Sequence, residues 1–130
     1  MSKVLIIEDN PTNMTLAIFL LQSAGHDVLS ATDAETGLTL ARDEQPNLIL
    51  MDIQLPGMDG LQATGLLKRD EATRAIPVIA LTALAMKGDE ERIRAAGCDG
   101  YIAKPMRYQD FLATIAAQLA SVTGAIPWKY

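Results

Sequence analysis

The sequence predicts a doubly wound α/β fold, a parallel sheet enclosed between two layers of helices. Short apolar runs of strand length recur five times, at residues 4–7, 28–31, 48–51, 78–81 and 101–103, and longer segments with helical spacing separate them. The runs are apolar at successive positions, which is what strands buried on both faces require. Strand–helix alternation repeated five times implies parallel strands joined by right-handed crossovers.

The first run, Val4-Leu5-Ile6-Ile7, is closed by the acidic pair Glu8-Asp9. A helix over 11–24 follows, with Met14, Ala17, Ile18 and Leu21 on one face. Asn10 is a good N-cap, Pro11 suits a first helical position whose N–H has no partner anyway, and Gly25 supplies the stop. The run at 28–31 leads to a helix from about 34 to 43, entered through Thr32 or Asp33. The run at 48–51 leads to a helix from 61 to about 69, with Leu61, Thr64 and Leu67 facing inward. A fourth helix is predicted near 87–96, ending at Gly97, and a fifth over 108–120, with Phe111, Leu112, Ile115 and Leu119 on its inner side. Residues 1–121 are read as one domain; 122–130, with Gly124, Pro127 and an isolated Trp128, are read as an appended tail.

Composition agrees with a single compact domain: 130 residues, 49% of them hydrophobic, suffice for one core. A net charge of −5 argues against a basic surface for nucleic acid, so no direct nucleic-acid partner is expected. The first apolar run is too short and too soon interrupted by acids for a signal peptide or a membrane span. A soluble, cytoplasmic protein is expected, and Met1 close to the first strand favours a stand-alone one. Cys98 is the single cysteine, which excludes an internal disulfide and reads as buried filler. His26, in the turn after Gly25, reads as a solvated loop residue.

In an open parallel sheet, ligands bind beyond the carboxyl ends of the strands. Glu8 and Asp9 follow the first run, Asp52 ends the third, Thr82 ends the fourth, and Lys104-Pro105 follows the fifth. Each alone has an ordinary role as a solvated acid, a turn residue, a cap or a surface charge. Together they place three acids at one edge, and their mutual repulsion is relieved by a cation. Oxygen ligands with no His or Cys among them favour Mg²⁺, which keeps waters that phosphate oxygens displace. Asp52 then has the chemistry of a nucleophile toward phosphorus, with a lysine and a hydroxyl to receive the charge of the phosphoryl oxygens.

Glu8-Asp9-Asn10, the stretch Met51-Asp52-Ile53-Gln54-Leu55-Pro56-Gly57-Met58-Asp59-Gly60, Leu81-Thr82-Ala83 and Ala103-Lys104-Pro105 stand in order and at characteristic spacing. In these residues the chain resembles the receiver domains of two-component response regulators, single-domain chemotaxis and cell-cycle phosphorelay regulators among them, over about residues 3–121. The resemblance implies a flavodoxin-like strand order 2-1-3-4-5 with five helices. It makes Asp52 the phosphoacceptor, Asp9 and Asp52 side-chain ligands of Mg²⁺, Glu8 a ligand through water, and the Gln54 backbone carbonyl a further ligand. It pairs Lys104 with the phosphoryl oxygens and implies a cis peptide before Pro105. Thr82 and the Ala83 N–H would hydrogen-bond the phosphoryl group, with Tyr101 turning inward as Thr82 moves. Gly57, Asp59 and Gly60 take structural roles, the glycines allowing positive φ and Asp59 capping the next helix. Leu84, two residues after Thr82, falls at a position that tunes dephosphorylation in the family. The resemblance further implies a histidine kinase or histidine phosphotransfer protein as donor, and a protein target that reads the fourth helix, fifth strand and fifth helix.

Three other readings compete. A haloacid-dehalogenase-type phosphatase also uses a strand-end Asp with Mg²⁺ and Lys, but carries a second Asp where this chain has Gln54. A flavin binder shares the architecture, yet Glu8 and Asp9 would repel a flavin phosphate. An inert pseudo-receiver is countered by the presence of every expected chemical group.

Overall fold

A computed structural model describes residues 2–83, 87–104 and 107–120. The cis peptide expected before Pro105, Leu84 and the tail at 122–130 lie outside the described residues. Five strands, β1 (Lys3–Ile7), β2 (Asp27–Ala31), β3 (Leu48–Asp52), β4 (Val78–Thr82) and β5 (Gly100–Ala103), alternate with five helices, α1 (Pro11–Ser23), α2 (Ala34–Glu44), α3 (Gly60–Arg69), α4 (Lys87–Ala95) and α5 (Tyr108–Ala120). The strands are all parallel and lie in the order β2-β1-β3-β4-β5.

Successive side chains of the central strands enter opposite cores, which is why the runs carry no polar alternation. Leu5, Ile7, Ile49, Met51, Val78 and Ala80 face α2, α3 and α4 through Ala34, Ala41, Ala63, Leu67 and Ile93. Val4, Ile6, Leu48, Leu50, Ile79 and Leu81 face α1 and α5 through Ala17, Leu20, Leu21, Phe111 and Ile115. Burial on both faces does not extend to β2: at the sheet edge, Asp27 and Ser30 are exposed and Val28 and Leu29 only half-buried. On α5 the inner stripe is Phe111, Ile115 and Gln118, with Leu112 and Leu119 at its margin; the buried glutamine departs from the apolar stripe read from the sequence.

Side chains fix the helix entries. Asn10 Oδ1 accepts from the Asn13 N–H at 3.0 Å, and Asp33 Oδ1 accepts from the Thr36 N–H at 2.7 Å. At α3, Asp59 Oδ1 accepts from the Gln62 N–H at 2.8 Å while Gln62 Oε1 accepts from the Asp59 N–H at 3.2 Å, a complete capping box. Asp59→Ala is therefore expected to cost about 1 kcal/mol of stability, measured by denaturant unfolding. The helix starts at Gly60, one residue before the apolar pattern begins.

The two glycines of this loop act for different reasons. Gly57 has φ +73°, a conformation that favours glycine. Gly60 does not take positive φ. A Cβ there would collide with the Asp52 carbonyl oxygen and come within 2.7 Å of Ile53 Cα, so Gly60 is required by the close approach of α3 to the end of β3. Gly60→Ala is expected to push that strand end aside, destabilising the fold by about 1–3 kcal/mol and disturbing Asp52. Its unfolding midpoint, compared with that of Gly65→Ala in the open middle of the same helix, measures the effect.

Candidate functional site

Parallel register brings the chemistry together. Ile7 lies opposite Met51, Asp52 opposite Leu81, and Thr82 opposite Ala103, so the residues that leave β1, β3, β4 and β5 share one sheet edge. Backbone pairing continues one residue beyond the strands: the Glu8 N–H donates to Ala31 O at 3.0 Å, Ile53 to Leu81 O at 3.2 Å, and Lys104 to Thr82 O at 2.7 Å. These bonds hold Glu8, Asp52 and Lys104 at fixed height above the sheet.

Their side chains converge in a largely buried space. Glu8 is fully buried, Asp52 is 3% exposed, and the Lys104 side chain is 14% exposed. Lys104 Nζ donates to Asp52 Oδ2 at 2.9 Å and lies 3.0 Å from Glu8 Oε1. The other oxygen of each acid is held by the backbone two residues on: Asp52 Oδ1 accepts from the Gln54 N–H at 2.9 Å, and Glu8 Oε2 from the Asn10 N–H at 3.1 Å. Glu8 Oε1 contacts the ammonium as an ion pair, but no hydrogen bond is directed at it. Asp9 is exposed, and its carboxylate completes a cluster with Glu8 and Asp52 in which one oxygen from each lies within 4.8 Å of the others.

The two buried acids behave as one unit. Burial pushes the Glu8 carboxyl above its ordinary value, and the hydrogen bond with Asp52 pushes the same way. Burial acts upward on Asp52 too, but hydrogen bonds from Glu8, the Gln54 N–H and Lys104 outweigh it and hold Asp52 below the ordinary range. Burial disfavours the Lys104 ammonium, yet its bonds to Asp52 and Glu8 prevail and raise it. Of the two buried acids, Asp52 is thus the one held toward its anionic form, paired with Lys104, the form in which a carboxylate is nucleophilic.

Three carboxylates against one ammonium leave an excess of negative charge, and Glu8 Oε1 is a buried oxygen with unused acceptor capacity. Donors that are all oxygen fit a hard divalent cation such as Mg²⁺.

The other expected residues lie around this centre. Thr82 is buried at the end of β4, and Ala83 follows it at the surface. Tyr101, half-buried on β5, packs against the core layer of α2, α3 and α4. Gln54 is exposed, Asp59 caps α3, and Gly57 and Gly60 shape the loop between them. Sequence reasoning missed the work of two backbone amides, those of Asn10 and Gln54, which each fix an acid two residues earlier. The signal was an acid followed at i+2 by a loop residue, the spacing of a side-chain-closed turn. Cys98 is buried beside Thr64, and burial pushes its thiol up to about 11, as expected of a filler.

Residues 4–116 match the response regulator receiver domain family. Among curated proteins the chain is 51% identical, over 116 residues, to the polar-differentiation response regulator DivK of Brucella ovis, an alignment covering 89% of this chain and 94% of that protein. Among solved structures it is similar to the receiver domain of a sensor histidine kinase from Pseudomonas aeruginosa, which holds a magnesium ion in its active-site cleft. The TM-score is 0.86 at 35% identity, over 92% of this chain and 98% of that one. A chemotaxis response regulator of Vibrio cholerae aligns with TM-score 0.85 at 25% identity, over 90% of this chain and 98% of that one. With this family match spanning most of its length and its strand order agreeing, the chain belongs to the response regulator receiver domain family, the phosphorylation-dependent switches of two-component signalling.

Proposed function

We propose that Asp52 is the phosphoacceptor of this switch and that a histidine kinase or histidine phosphotransfer protein is its donor. The observation that carries this reading is the state of the Asp52 carboxylate: 3% exposed, with one oxygen fixed by the Gln54 N–H and the other by Lys104. A carboxylate oxygen attacks phosphorus, the bond from phosphorus to the donor imidazole nitrogen breaks, and the acyl phosphate forms on Asp52. Lys104, released from Asp52 by the reaction, pairs with the phosphoryl oxygens, and Thr82 and the Ala83 N–H receive the remaining charge. Asp9 and Asp52 through their side chains, Gln54 through its carbonyl and Glu8 through water would hold Mg²⁺. When bound, that ion neutralises the phosphoryl oxygens and draws the excess acid charge out of repulsion.

The new dianion biases Thr82 and Tyr101 toward a second packing, and the surface of α4, β5 and α5 reports it to a protein target. Gln54 supplies no general acid for a leaving alcohol, so the same residues assist only transfer to and loss from Asp52, without cycling phosphomonoesters. Among the described residues no helix is long and apolar enough to cross a membrane.

Incubation with acetyl phosphate and Mg²⁺, followed by intact mass, tests this directly. The wild type is expected to gain one phosphoryl group, and Asp52→Ala or protein kept in EDTA to gain none. An equal adduct on Asp52→Ala would overturn the assignment.

A further inference from the structure

Helix α3 turns Gly60, Ala63, Thr64 and Leu67 to the core and carries Gln62, Gly65, Leu66 and Arg69 outward, at i, i+3, i+4 and i+7 spacing. Gly65 is the odd member of that stripe. A glycine inside a helix weakens it relative to alanine, and here neither positive φ nor close packing requires one. An added Cβ would meet only Arg69 Nη2, at 3.7 Å, an ordinary contact. The missing side chain therefore leaves a notch in the outer surface of α3, with the Arg69 guanidinium beside it. A notch of this kind admits the close approach of another chain.

Two hollows adjoin the stripe. One, of about 580 Å³, is lined by Met58, Leu61 and Gly65. The other, of about 270 Å³, lies where α2 packs on α3 and is lined by Leu38, Leu67 and Thr73. Leu66, 39% exposed, and Arg69 border both. Apolar hollows beside an exposed leucine suit the anchor residues of an amphipathic helix. Charge sets the sign of the partner. The charged side chains lining the two hollows are Arg42, Arg69 and Asp70, a surplus of one cation on a chain whose net charge is −5. Asp70 Oδ2 is already engaged, accepting from Arg42 Nε at 3.3 Å and Nη2 at 3.1 Å. Arg69 is exposed, and among the described residues its guanidinium has no ion pair or hydrogen bond. A guanidinium flanked by apolar walls is suited to a carboxylate of a partner. A second copy docked on the same patch about a two-fold axis would add its own surplus cation, so complementarity favours a different, acidic chain.

We propose that the outer face of α3, with the adjoining edge of α2, docks an acidic amphipathic helix of a partner protein. Apolar side chains of that helix enter the two hollows, a carboxylate pairs with Arg69, and Gly65 lets the helix approach closely. The face belongs to the layer opposite α1 and α5, so a partner held there leaves those two helices uncovered. This inference does not depend on phosphorylation of Asp52.

A phage-displayed library of random peptides, selected on the full chain and counter-selected on Arg69→Glu, tests the proposal. Peptides retained by the wild type and lost on the variant are expected to combine Asp or Glu with Leu, Ile or Phe at helical spacing. A synthetic copy of the most enriched one is expected to shift the amide resonances of Gly65, Leu66 and Arg69, and to bind Arg69→Glu about 10-fold more weakly or worse. Gly65→Ala separates docking from folding: it is expected to raise Tm, as alanine does at an open helix position, while weakening the same peptide several-fold. A purely structural glycine would lower Tm on the same change. The proposal is overturned by a selection that enriches nothing, by enriched peptides without acids, or by binding unchanged in Arg69→Glu and Gly65→Ala. A dimer mass in sedimentation that Leu66→Glu abolishes would overturn it too, assigning the face to a second copy.

Discussion

Lys104→Ala is expected to lower stability by about 3 kcal/mol at neutral pH and to slow phosphorylation by small donors about 100-fold. Both effects come from one ammonium that is 14% exposed and bridges Glu8 and Asp52, themselves almost wholly buried. Removing it strands a carboxylate charge where water cannot replace the partner, and a buried charge without its partner is among the most destabilising of single changes. The loss is smaller at pH 4.5, because the carboxyl pair can then take up a second proton. In the reaction, the same side chain is the one cation of the described site within reach of the phosphoryl oxygens. Urea unfolding at two pH values, with acetyl phosphate kinetics on the same variant, separates the two losses. A variant as stable as wild type at neutral pH would contradict the bridging role.

The second large effect is a pH dependence that Mg²⁺ reverses. Glu8 has its native carboxyl raised above 4.5, so between that value and the raised one the native state holds more protons than the unfolded chain. Its contribution is therefore present at low pH and lost as pH rises through that window toward neutrality. Asp52 is held below 3.8, so its contribution has the opposite sign: present above 3.8 and lost as pH falls through the lowered value. The pair together gives the metal-free protein greatest support between roughly pH 3.8 and 4.5, the ordinary values of the two carboxyls. Mg²⁺ competes with protons for the carboxylates and stabilises the state that binds it, so the rise in Tm on adding Mg²⁺ is expected to be larger at pH 7.5 than at pH 4.5. Glu8→Gln is expected to flatten the fall between these pH values. A Mg²⁺-induced rise independent of pH would contradict a raised Glu8 carboxyl at the metal site.

The fold was legible because its signals are redundant. Each central strand is an unbroken apolar run, and Asn10-Pro11 and Asp59 mark helix entries with caps that the structure uses. Less was legible where a contact depends on distant parts of the chain. Gly60 reads locally as a loop glycine, but its requirement comes from the end of β3 pressing on α3. Lys68 reads as a surface cation, yet its Nζ bonds Asp99 Oδ2 at 2.9 Å and Ile76 O at 2.9 Å, while Asp99 also accepts from the Val78 N–H, tying the entry of β4 to that of β5. Gln118 breaks the apolar period of α5 and faces the core regardless. In the site, the sequence identified the groups at the strand ends because parallel topology brings those ends to one edge. It did not distinguish the acids: Glu8 is fully buried and that burial raises its carboxyl, whereas Asp9, its neighbour, is exposed.

The most direct measurement is chemical mapping of the phosphorylated residue. Borohydride reduces an aspartyl phosphate to homoserine, which tandem mass spectrometry locates by sequence. After acetyl phosphate and Mg²⁺, homoserine is expected at position 52 and nowhere else. Reduction product at Asp9, or a phosphorylated protein with Asp52 intact, would contradict the central claim that the buried, Lys104-paired carboxylate is the one that accepts the phosphoryl group.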